Sequence, residues 1–569
     1  MPKIVIDPVT RIEGHLRIEA QVEGGRVVDA WSSGTMFRGI ELILKDRDPR
    51  DAWLFAQRIC GVCTTVHATA SVRAVENALE IVIPSTARII RNLITASQYV
   101  QDHVIHFYHL HALDWVDISS ALKADPARTS SLAMSLSDWP RSSTTYFRGV
   151  QQKIGSLMNS GQLGLFANGY WGHRAYKLSP ETNLMVLAHY LEALDWQRDI
   201  IRIQALLGAK NPHAQTFLVG GMSLPVDADS QSALNADGIE FLLEKAQQAL
   251  TFVEQVYMPD LIAIASIYRE WASLGRGAGN YLACGEFPGD NVPDTLNLWL
   301  PRGIIRNRDL STVHPLDQSK ITEYVTHSWY DYKEGNSASK HPFDGETIQR
   351  YTGPKPPYQS LETGQKYSWL KAPRYDDLTM EVGPLSRMLV AYASGHQRVR
   401  EAVDTVLSKL NVGTDALFST LGRIAARGIE TQITAEMMLS WIDQLGSRMK
   451  QGNTRIHNTE RWDPSSWPKD AKGFGLHEAP RGCLGHWVRI HDKKIANYQC
   501  VVPSTWNGSP RDARGQRGPY EAALINTPVA DPNQPLEILR TVHSFDPCMA
   551  CAVHVVNPAG RELTRVRVV

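Results

Sequence analysis

Two cysteine pairs stand near opposite ends of the chain: RICGVCTTVH spans residues 58–67, and DPCMACAVH spans residues 546–554. Most of the 569-residue chain separates the pair Cys60/Cys63 from the pair Cys548/Cys551. A zinc ribbon brings two such pairs within about 15–20 residues of each other. If both pairs share one site, the whole chain folds around it, which favours one large unit over separable domains.

Composition excludes several classes of protein. The chain has 59 basic and 59 acidic residues, so its formal net charge is zero, and 43% of its residues are hydrophobic. This composition is globular, and a neutral chain offers no field that would attract nucleic acid. We find no apolar run near the ~18 residues of a spanning helix and no secretory leader at the start. If the protein leaves the cytoplasm, something else must carry it.

Four cysteines in two pairs admit three kinds of chemistry. Four thiolates suit a structural zinc ion, although such a site does not need the two ends of a long chain. Each pair could form a redox disulfide, but no small α/β unit of the thioredoxin type is visible around either. The third option is a soft transition metal, nickel or iron, held by all four thiolates. The cysteine pairs alone leave these options open.

Hydrophobic periodicity predicts strands at the start of the chain and long helices after it. Residues 1–35 are predicted as strands, because Leu16, Ile18 and Ala20 alternate with polar residues before a Gly-Gly turn. Residues 285–377, rich in Gly, Pro, Tyr and Trp, are predicted as irregular surface structure with short strands, and residues from 473 onward as short strands and tight turns. Helices are predicted at about 64–79, 86–113, 182–207, 236–271 and 385–410, and the last four indicate a buried bundle.

Three further motifs, in order along the chain, accompany the cysteine pairs. They are DPVTRIEGH at residues 7–15, EAPRG at 478–482 and VPSTWN at 502–507. With these motifs, nearly the whole chain resembles the large subunit of nickel–iron hydrogenases. The resemblance implies an α+β, predominantly α, fold with a central bundle of long helices and small peripheral β-sheets. The single catalytic unit would cover residues 1–554, with strands at 1–35, a helical core at about 50–275 and 380–450, the irregular region at about 285–377, and a metal-site region at 473–554.

The resemblance implies a nickel–iron centre whose iron carries carbon monoxide and two cyanides. By motif position, Cys60 and Cys548 are terminal nickel ligands, whereas Cys63 and Cys551 also bridge to iron. Thiolates can bridge because sulfur keeps spare lone pairs, and four of them make nickel electron-rich. His67 is then expected beside the centre, where it donates a hydrogen bond to a cysteine sulfur.

Heterolytic splitting of hydrogen needs a base within hydrogen-bond reach of the centre. In the family, the proton-transfer glutamate occupies the position of Glu13, and the arginine at the position of Arg481 overhangs the metals. A guanidinium normally stays protonated, so we expect Glu13 to be the main proton exit with Arg481 essential nearby, although the sequence does not choose the first proton acceptor. Asp102 and Asp546 match the carboxylates that flank this arginine, and we expect them to fix it bidentately.

The carbon monoxide and cyanide ligands imply a pocket with few hydrogen-bond donors and with apolar side chains as its walls. Buried cyanide nitrogens need hydrogen bonds, and the resemblance assigns the donors to Arg481 and Ser504. The apolar walls are expected from Pro480, Leu484 and Pro503.

A magnesium site and a gas route complete the implied residues. Glu41, the backbone carbonyl of Cys500, and His554 match the family's magnesium ligands, a mixed set that suits an octahedral ion completed by water. Val62 and Leu110 match the side chains that narrow the gas tunnel. Both are of medium size, which favours a turnover enzyme over a hydrogen sensor.

The remaining cysteines predict how electrons leave. Cys284, Cys483 and Cys500 are scattered along the sequence, so no iron–sulfur cluster is expected on this chain, and neither Cys284 nor Cys483 is assigned to metal. The resemblance implies an iron–sulfur small subunit, in a heterodimer or a dimer of heterodimers. That subunit would carry a twin-arginine export signal and pass electrons to a cytochrome b or another membrane carrier.

Location and processing also follow from the resemblance. We expect mainly H2 uptake, by a peripheral complex on the periplasmic, outer side of the cell membrane. Residues 555–569 would be a propeptide that a maturation protease removes after His554 once nickel is inserted. The alternatives are a hydrogen-sensing subunit with the same metals, an inactive relative such as the quinone-site subunit of respiratory NADH dehydrogenase, which lacks the four thiolates, and a structural zinc or interaction protein.

Overall fold

The longest helix of the chain, Thr420–Lys450, lies at the centre of a helical core. It begins where the Ser419 side chain accepts a hydrogen bond from the Gly422 amide, and it packs against the helices Ser85–Ile105 and Ala236–Phe252. The structure is a computed structural model that describes residues 3–167, 169–289, 297–354 and 361–549. The predicted ligands Cys551 and His554 and the predicted propeptide 555–569 lie outside the described residues.

The predicted helical bundle is present, although several of its predicted helices are divided and the helix Thr420–Lys450 joins them. The helices of ten or more residues are Val66–Ala78, Ser85–Ile105, Pro126–Leu136, Thr144–Ser160, Pro180–Ile200, Ala236–Phe252, Met258–Ile267, Pro384–Ala393, Gln397–Leu410 and Thr420–Lys450. Shorter helices are Ile40–Leu44, Ala52–Ala56, Ile118–Ala121, Arg202–Gly208, Pro503–Asn507, Pro519–Leu524 and Leu536–His543. The prediction of one helix at 385–410 is wrong, because Gly395 takes a left-handed φ of 83° and ends the first of two helices.

The helix predicted at 86–113 changes its winding before it ends. Its α-helical part, Ser85–Ile105, follows Pro84, which contributes no side-chain cap. It continues as a π-helix over His106–His111 and as a 3₁₀ turn over Ala112–Asp114. Wide π turns are rare in proteins, and those that do occur are often found at functional sites.

Two three-stranded antiparallel sheets flank the helices. The first contains Lys3–Ile6, Leu16–Glu23 and Arg26–Gly34, which confirms the strands predicted at 1–35. The second contains Asp470–Ala479, Gly482–His491 and Lys494–Val501, and these strands are longer than predicted.

The second sheet packs closely on the helix Val66–Ala78. A Cβ added at Gly473 would lie 2.3 Å from the Ala78 amide nitrogen, and one added at Gly475 would lie 2.1 Å from the Ala70 carbonyl oxygen. Glycine is therefore required at both positions for the backbones to approach. This approach brings the turn between the first two strands of the sheet towards the segment that carries Cys60 and Cys63.

The region 285–377 contains the short strands that the sequence predicts, but much of it is buried. Trp329 and Arg374 are almost fully inaccessible, and Arg374 pairs with Asp512 at 2.7 Å, so the prediction of a surface region is wrong there. The two-stranded pairings in and around this region are Tyr281–Ala283 with Gly303–Ile305, Glu286–Pro288 with Leu298–Leu300, Ile321–Tyr324 with Ala372–Tyr375, and Tyr330–Tyr332 with Thr347–Gln349. Phe217–Leu218 pairs with Gly221–Met222.

One helical run in the described part of the chain is long and apolar enough to cross a membrane by length and composition. It covers Ala236–Ile267, 32 residues whose most apolar 18-residue window has a mean hydropathy of 1.3, and includes a π-helix at Val253–Tyr257. Half of its most apolar window is buried inside the fold. The expectation that the chain has no apolar run near the length of a spanning helix is therefore corrected. This run serves as a core helix, because Leu242, Ala249 and Val253 belong to the main core.

Candidate metal centre

Three cysteine sulfurs from the two distant pairs meet at one buried point. The Sγ atoms of Cys60, Cys63 and Cys548 lie within 4.8 Å of one another, and those of Cys60 and Cys548 are 3.4 Å apart. All three residues are at most 3% exposed. Both ends of the chain therefore contribute to one site, as the shared-site hypothesis requires.

A loop before the helix Val66–Ala78 positions the first pair. The Cys63 amide donates a hydrogen bond to the Cys60 sulfur at 3.2 Å. Arg38 holds the other side of the loop by donating to the carbonyl oxygens of Ile59, at 2.5 Å, and Arg58, at 2.7 Å. The sulfurs point inward from this loop, whereas Val62 between them is 37% exposed.

The segment around Glu13 positions Cys548, the described member of the second pair. The Glu13 amide donates to the Pro547 carbonyl oxygen at 3.4 Å, and the Met549 amide donates to the Glu13 carbonyl oxygen at 2.6 Å. The Cys548 amide donates to the Ser504 hydroxyl oxygen at 3.0 Å. This pairing places a Glu13 carboxylate oxygen 3.4 Å from the Cys548 sulfur, within reach for proton transfer.

Arg481 spans two buried carboxylates above the sulfurs. Its two terminal nitrogens contact Asp102 at 3.3 Å and Asp546 at 3.0 Å, and its Nε donates to the Asp546 carbonyl oxygen at 3.1 Å. Each carboxylate accepts one of these bonds, so the predicted bidentate fork to a carboxylate is absent from these contacts. Burial alone would lower the pKa of Arg481, but Asp546, Cys548 and Asp102 outweigh it and raise that pKa well above its ordinary value. Burial raises the pKa of Asp102 to about 7, although Arg481 acts in the opposite direction.

A small cavity beside the sulfurs contains most of the residues predicted for the ligand pocket. Arg481, Leu484, Pro503 and Ser504 line it as expected. Pro480 is not part of the described lining of this cavity. The Pro480 carbonyl oxygen instead accepts a hydrogen bond from Arg387 at 3.0 Å. The full lining is Cys63, Val66, His67, Ala479, Arg481, Leu484, Val502, Pro503, Ser504 and Cys548. Sequence reasoning missed Val66, Ala479 and Val502, although each lies inside or beside a quoted motif.

His67 lies against this cavity in a line of buried polar groups. Its Nδ1 is 3.0 Å from Nε2 of His486, whose Nδ1 is 2.6 Å from the Tyr498 hydroxyl. Its Nε2 is buried and has no hydrogen-bond partner in the described part of the chain. Burial lowers the pKa of His67 to about 4, so the ring is neutral at pH 7. The Tyr498 hydroxyl donates to the Ser71 hydroxyl at 2.8 Å. If it turns its hydrogen towards His486 instead, the hydrogen of the neutral His67 ring lies on Nε2, which can then donate a hydrogen bond to a cysteine sulfur.

Two of the residues predicted to bind magnesium, Glu41 and Cys500, adjoin in the structure. The Cys500 amide donates to a Glu41 carboxylate oxygen at 2.8 Å, so the two predicted ligands adjoin. Burial raises the pKa of the Cys500 thiol well above its ordinary value, so a free thiolate is disfavoured there.

The two predicted gas-route residues lie on different segments. Val62 is in the first cysteine loop, and its carbonyl oxygen accepts a bond from Gln98 at 3.1 Å. Leu110 is in the π-helix His106–His111, and its carbonyl oxygen accepts a bond from Arg11 at 3.0 Å.

A second buried group corrects the expectation that the other cysteines are scattered. The sulfurs of Cys284 and Cys483 and a Glu478 carboxylate oxygen lie within 4.8 Å of one another. Burial raises the pKa of both thiols, and Glu478 is paired with Arg387 at 2.7 Å. Without an ion the raised pKa values keep both thiols protonated at neutral pH.

Comparisons with known proteins select among the three chemistries. Residues 38–554 match the family described as nickel-dependent hydrogenase, and residues 3–32 match the family described as HoxL-like. The chain is 52% identical to the uptake hydrogenase large subunit of Bradyrhizobium diazoefficiens and 48% identical to the hydrogenase-1 large chain of Escherichia coli, over 100% of this chain and 97% of each relative.

The fold agrees with these matches. The solved structure of the Ni-Fe-Se hydrogenase from Desulfovibrio vulgaris Hildenborough has a TM-score of 0.76 and 34% identity, covering 97% of this chain and 100% of that one. Among the three chemistries, a nickel-dependent family favours the soft transition metal over zinc or disulfides for cysteines that could bind a metal. The chain therefore belongs to the nickel-dependent hydrogenase family, as a large subunit of the uptake type.

Proposed function

We propose that this chain splits H2 reversibly into protons and electrons, mainly in the direction of uptake, at a Ni–Fe centre held by Cys60, Cys63, Cys548 and Cys551. The observation that carries the proposal is the meeting of three cysteine sulfurs beside a glutamate carboxylate and beneath a buried arginine. When bound, the metal centre supplies the redox chemistry that separates H2 into protons and electrons. The protein supplies the thiolates, the proton acceptor and the closed surroundings.

The cavity beside the sulfurs fits an iron that carries one carbon monoxide and two cyanides. Arg481 has N–H groups beyond those that bind the two carboxylates. The Ser504 hydroxyl accepts a bond from the Cys548 amide and keeps its own hydrogen for donation. Leu484, Val502 and Pro503 provide the apolar walls. Two donors in a dry pocket match two cyanide nitrogens, which need hydrogen bonds once they are buried.

Glu13 is the proton acceptor in this proposal. Its carboxylate is 3.4 Å from the Cys548 sulfur, which is close enough to take a proton from it. Asp102 and Asp546 keep Arg481 protonated, so this residue contributes positive charge and hydrogen bonds rather than a base. His67 would donate to a cysteine sulfur from its buried Nε2.

Further parts of the assembly belong to the same proposal. Glu41, the Cys500 carbonyl and His554 would hold Mg²⁺, and Val62 and Leu110 would border the gas route. An iron–sulfur small subunit would accept the electrons and pass them to a cytochrome b or another membrane carrier. The exposure of Val62, directly between two metal-ligating cysteines, supports a partner seated there. The complex would lie on the periplasmic side of the cell membrane.

Maturation would remove residues 555–569 and leave His554 as the terminus. The test is an infrared spectrum of the complex purified without oxygen, with nickel content and intact mass measured on the same sample. Carbonyl and cyanide stretches on a chain that ends at His554 would support the proposal. A processed chain with neither set of bands would contradict it.

A further inference from the structure

We propose that Asp114 is a positioning residue that holds Glu13 against Cys548, by tying together the two segments that carry them. The inference rests on the proposed role of Glu13 as proton acceptor, and it concerns what fixes the distance between this carboxylate and the sulfur. Asp114 lies on the 3₁₀ turn Ala112–Asp114, well away from both residues in sequence.

The contact between Glu13 and Cys548 has little regular structure of its own. The strands of the first sheet stop at Ile6 and resume at Leu16, so Glu13 lies in a connection between them. Two backbone hydrogen bonds, to Pro547 and from Met549, pair it with the second cysteine segment. Arg11 has a φ of 55°, in the left-handed region that non-glycine residues rarely adopt. Other contacts must therefore hold this connection in place.

The Asp114 carboxylate supplies contacts to both segments at once. One oxygen accepts a hydrogen bond from Arg11 Nη2 at 2.5 Å, and the other accepts one from His543 Nδ1 at 2.6 Å. Arg11 also donates to the Leu110 carbonyl oxygen at 3.0 Å. His543 donates through Nε2 to the Thr10 carbonyl oxygen at 2.8 Å. The carboxylate thus anchors the residues that directly precede Glu13 and the helix end that leads to Cys548.

The charges around the Asp114 carboxylate favour a lasting link between Arg11 and His543. Both ring nitrogens of His543 face oxygen acceptors, so only the imidazolium donates both bonds. Asp114 is fully buried and lies between this cation and the Arg11 guanidinium. Burial alone would raise the pKa of Asp114, but Arg11 and His543 outweigh it and hold that pKa well below its ordinary value. A neutral side chain of the same shape cannot accept both donors, because one end of an amide is itself a donor.

The backbone of Asp114 is also fixed. Arg540 Nε donates to the Asp114 carbonyl oxygen at 2.7 Å. The guanidinium of Arg540 lies 4.6 Å from the ring centre of Trp115 and 4.9 Å from that of Tyr268, where cation–π attraction holds it. Arg540 belongs to the helix Leu536–His543, the one that ends at His543. The link is therefore rigid at its centre.

The test compares Asp114→Asn with a matched control in the assembled complex. Asp260→Asn changes another fully buried aspartate, which accepts bonds from His189 at 2.8 Å and Tyr108 at 2.7 Å. Among the described residues, none of the hydrogen bonds of Asp260 reaches the segment of Glu13 or that of Cys548. Amide hydrogen exchange, followed by mass spectrometry, reports on peptides that cover residues 9–16 and 543–549. Asp114→Asn should accelerate exchange in both peptides about tenfold, and Asp260→Asn should leave both unchanged.

A second readout follows the Glu13 side chain itself. Its carboxyl infrared band is assigned by its loss in Glu13→Gln. The band should shift in Asp114→Asn at unchanged nickel content and stay in place in Asp260→Asn. Arg11→Lys keeps the positive charge but cannot reach both acceptors, and its partly accessible site makes misfolding less of a risk. It should shift the band in the same direction if Asp114→Asn does not fold.

Normal protection of both peptides together with an unshifted band, in either variant, would overturn the inference. Amide exchange needs no metal, so it separates the inference from the proposed function. Loss of protection in Asp114→Asn, together with a processed wild-type complex that lacks carbonyl and cyanide bands, would contradict the proposed function and leave the link standing.

Discussion

The two cysteine segments reach the same point by different means. The first, with Cys60 and Cys63, belongs to the main hydrophobic core and leads directly into the buried helix Val66–Ala78. The second reaches Cys548 from another core, which holds Phe545 and Met549 together with the first sheet. It is fixed at the centre by hydrogen bonds and ion pairs with Glu13, Ser504 and Arg481.

This difference indicates what each segment tolerates. Apolar packing is spread over many weak contacts, so the helix Val66–Ala78 that continues the first segment depends on shape and volume. The second depends on a few directional contacts between buried charges, and the loss of one partner leaves the other unpaired. We therefore expect changes beside the second segment to alter chemistry and changes beneath the first to alter stability.

The largest expected effect is on the second segment. Cys548→Ser should abolish hydrogen uptake, because a serine oxygen is a hard and poorly ionised ligand for nickel. The measurement is dye-coupled uptake by the purified complex. Cys483→Ala removes a thiol outside the centre and should retain most of the activity. Wild-type uptake in Cys548→Ser would remove this cysteine from the mechanism.

The next effect isolates proton transfer from metal binding. Glu13→Gln should lower proton–hydrogen isotope exchange by about 10²–10⁴-fold, the usual contribution of a positioned general base, while nickel content and the carbonyl and cyanide bands persist. Exchange and metal analysis on the same preparation check this outcome. Unchanged exchange would move the role of first acceptor from Glu13 to Arg481.

A smaller effect tests the packing beneath the first segment. Gly475→Ala would place a Cβ 2.1 Å from the Ala70 carbonyl oxygen and 2.5 Å from the Ala74 amide nitrogen, and should lower stability by about 3 kcal/mol. Gly149→Ala is the control, because it lies in the helix Thr144–Ser160 with open space around it and should gain about 0.5–1 kcal/mol. Thermal unfolding compares the two variants. An unchanged midpoint for Gly475→Ala would mean that the sheet is not packed so tightly.

The smallest effect concerns the core of the second segment. Burial raises the pKa of Glu521 to about 7 from 4.5, although its carboxylate accepts bonds from the Ser32 amide and the Tyr367 hydroxyl. Between these values the folded state binds more protons than the unfolded state, so stability falls as pH rises from 4.5 to 7. Glu521→Gln should remove this slope, about 1.4 kcal/mol per pH unit at most. Denaturant unfolding at several pH values measures it, and equal slopes in both proteins would contradict the shift.

Much of the site could be predicted because its residues stand in short motifs. Cys60, Cys548, Glu13, Arg481 and Ser504 each lie in a quoted stretch, and the structure brings them together. The link through Asp114 could not be predicted, because it joins three segments that no local pattern connects. The meeting of Cys284 and Cys483 was missed for the same reason.

The fold was predictable where periodicity is strong and local. The helix Thr420–Lys450 was not singled out, because it is buried on nearly all sides and shows little amphipathic pattern. The sequence predicts tight turns from residue 473 onward, whereas the strand Asp470–Ala479 needs Gly473 and Gly475 to approach a helix. In both cases tertiary packing decides the role of the residue.

The π-helix at His106–His111 has a consequence for how this chain can vary in length. Asp102 precedes it and serves Arg481, whereas Asp114 follows it and serves Arg11 and His543. Each residue of an α-helix advances the chain by about 100° and 1.5 Å. Deleting one residue from the wide turn would therefore leave a sound helix with Asp102 in place, yet rotate Asp114 away from both cations. The wide turn sets how far Asp114 is rotated from Asp102 around one helix axis. Insertions and deletions there are therefore costlier than substitutions, because they change this rotation.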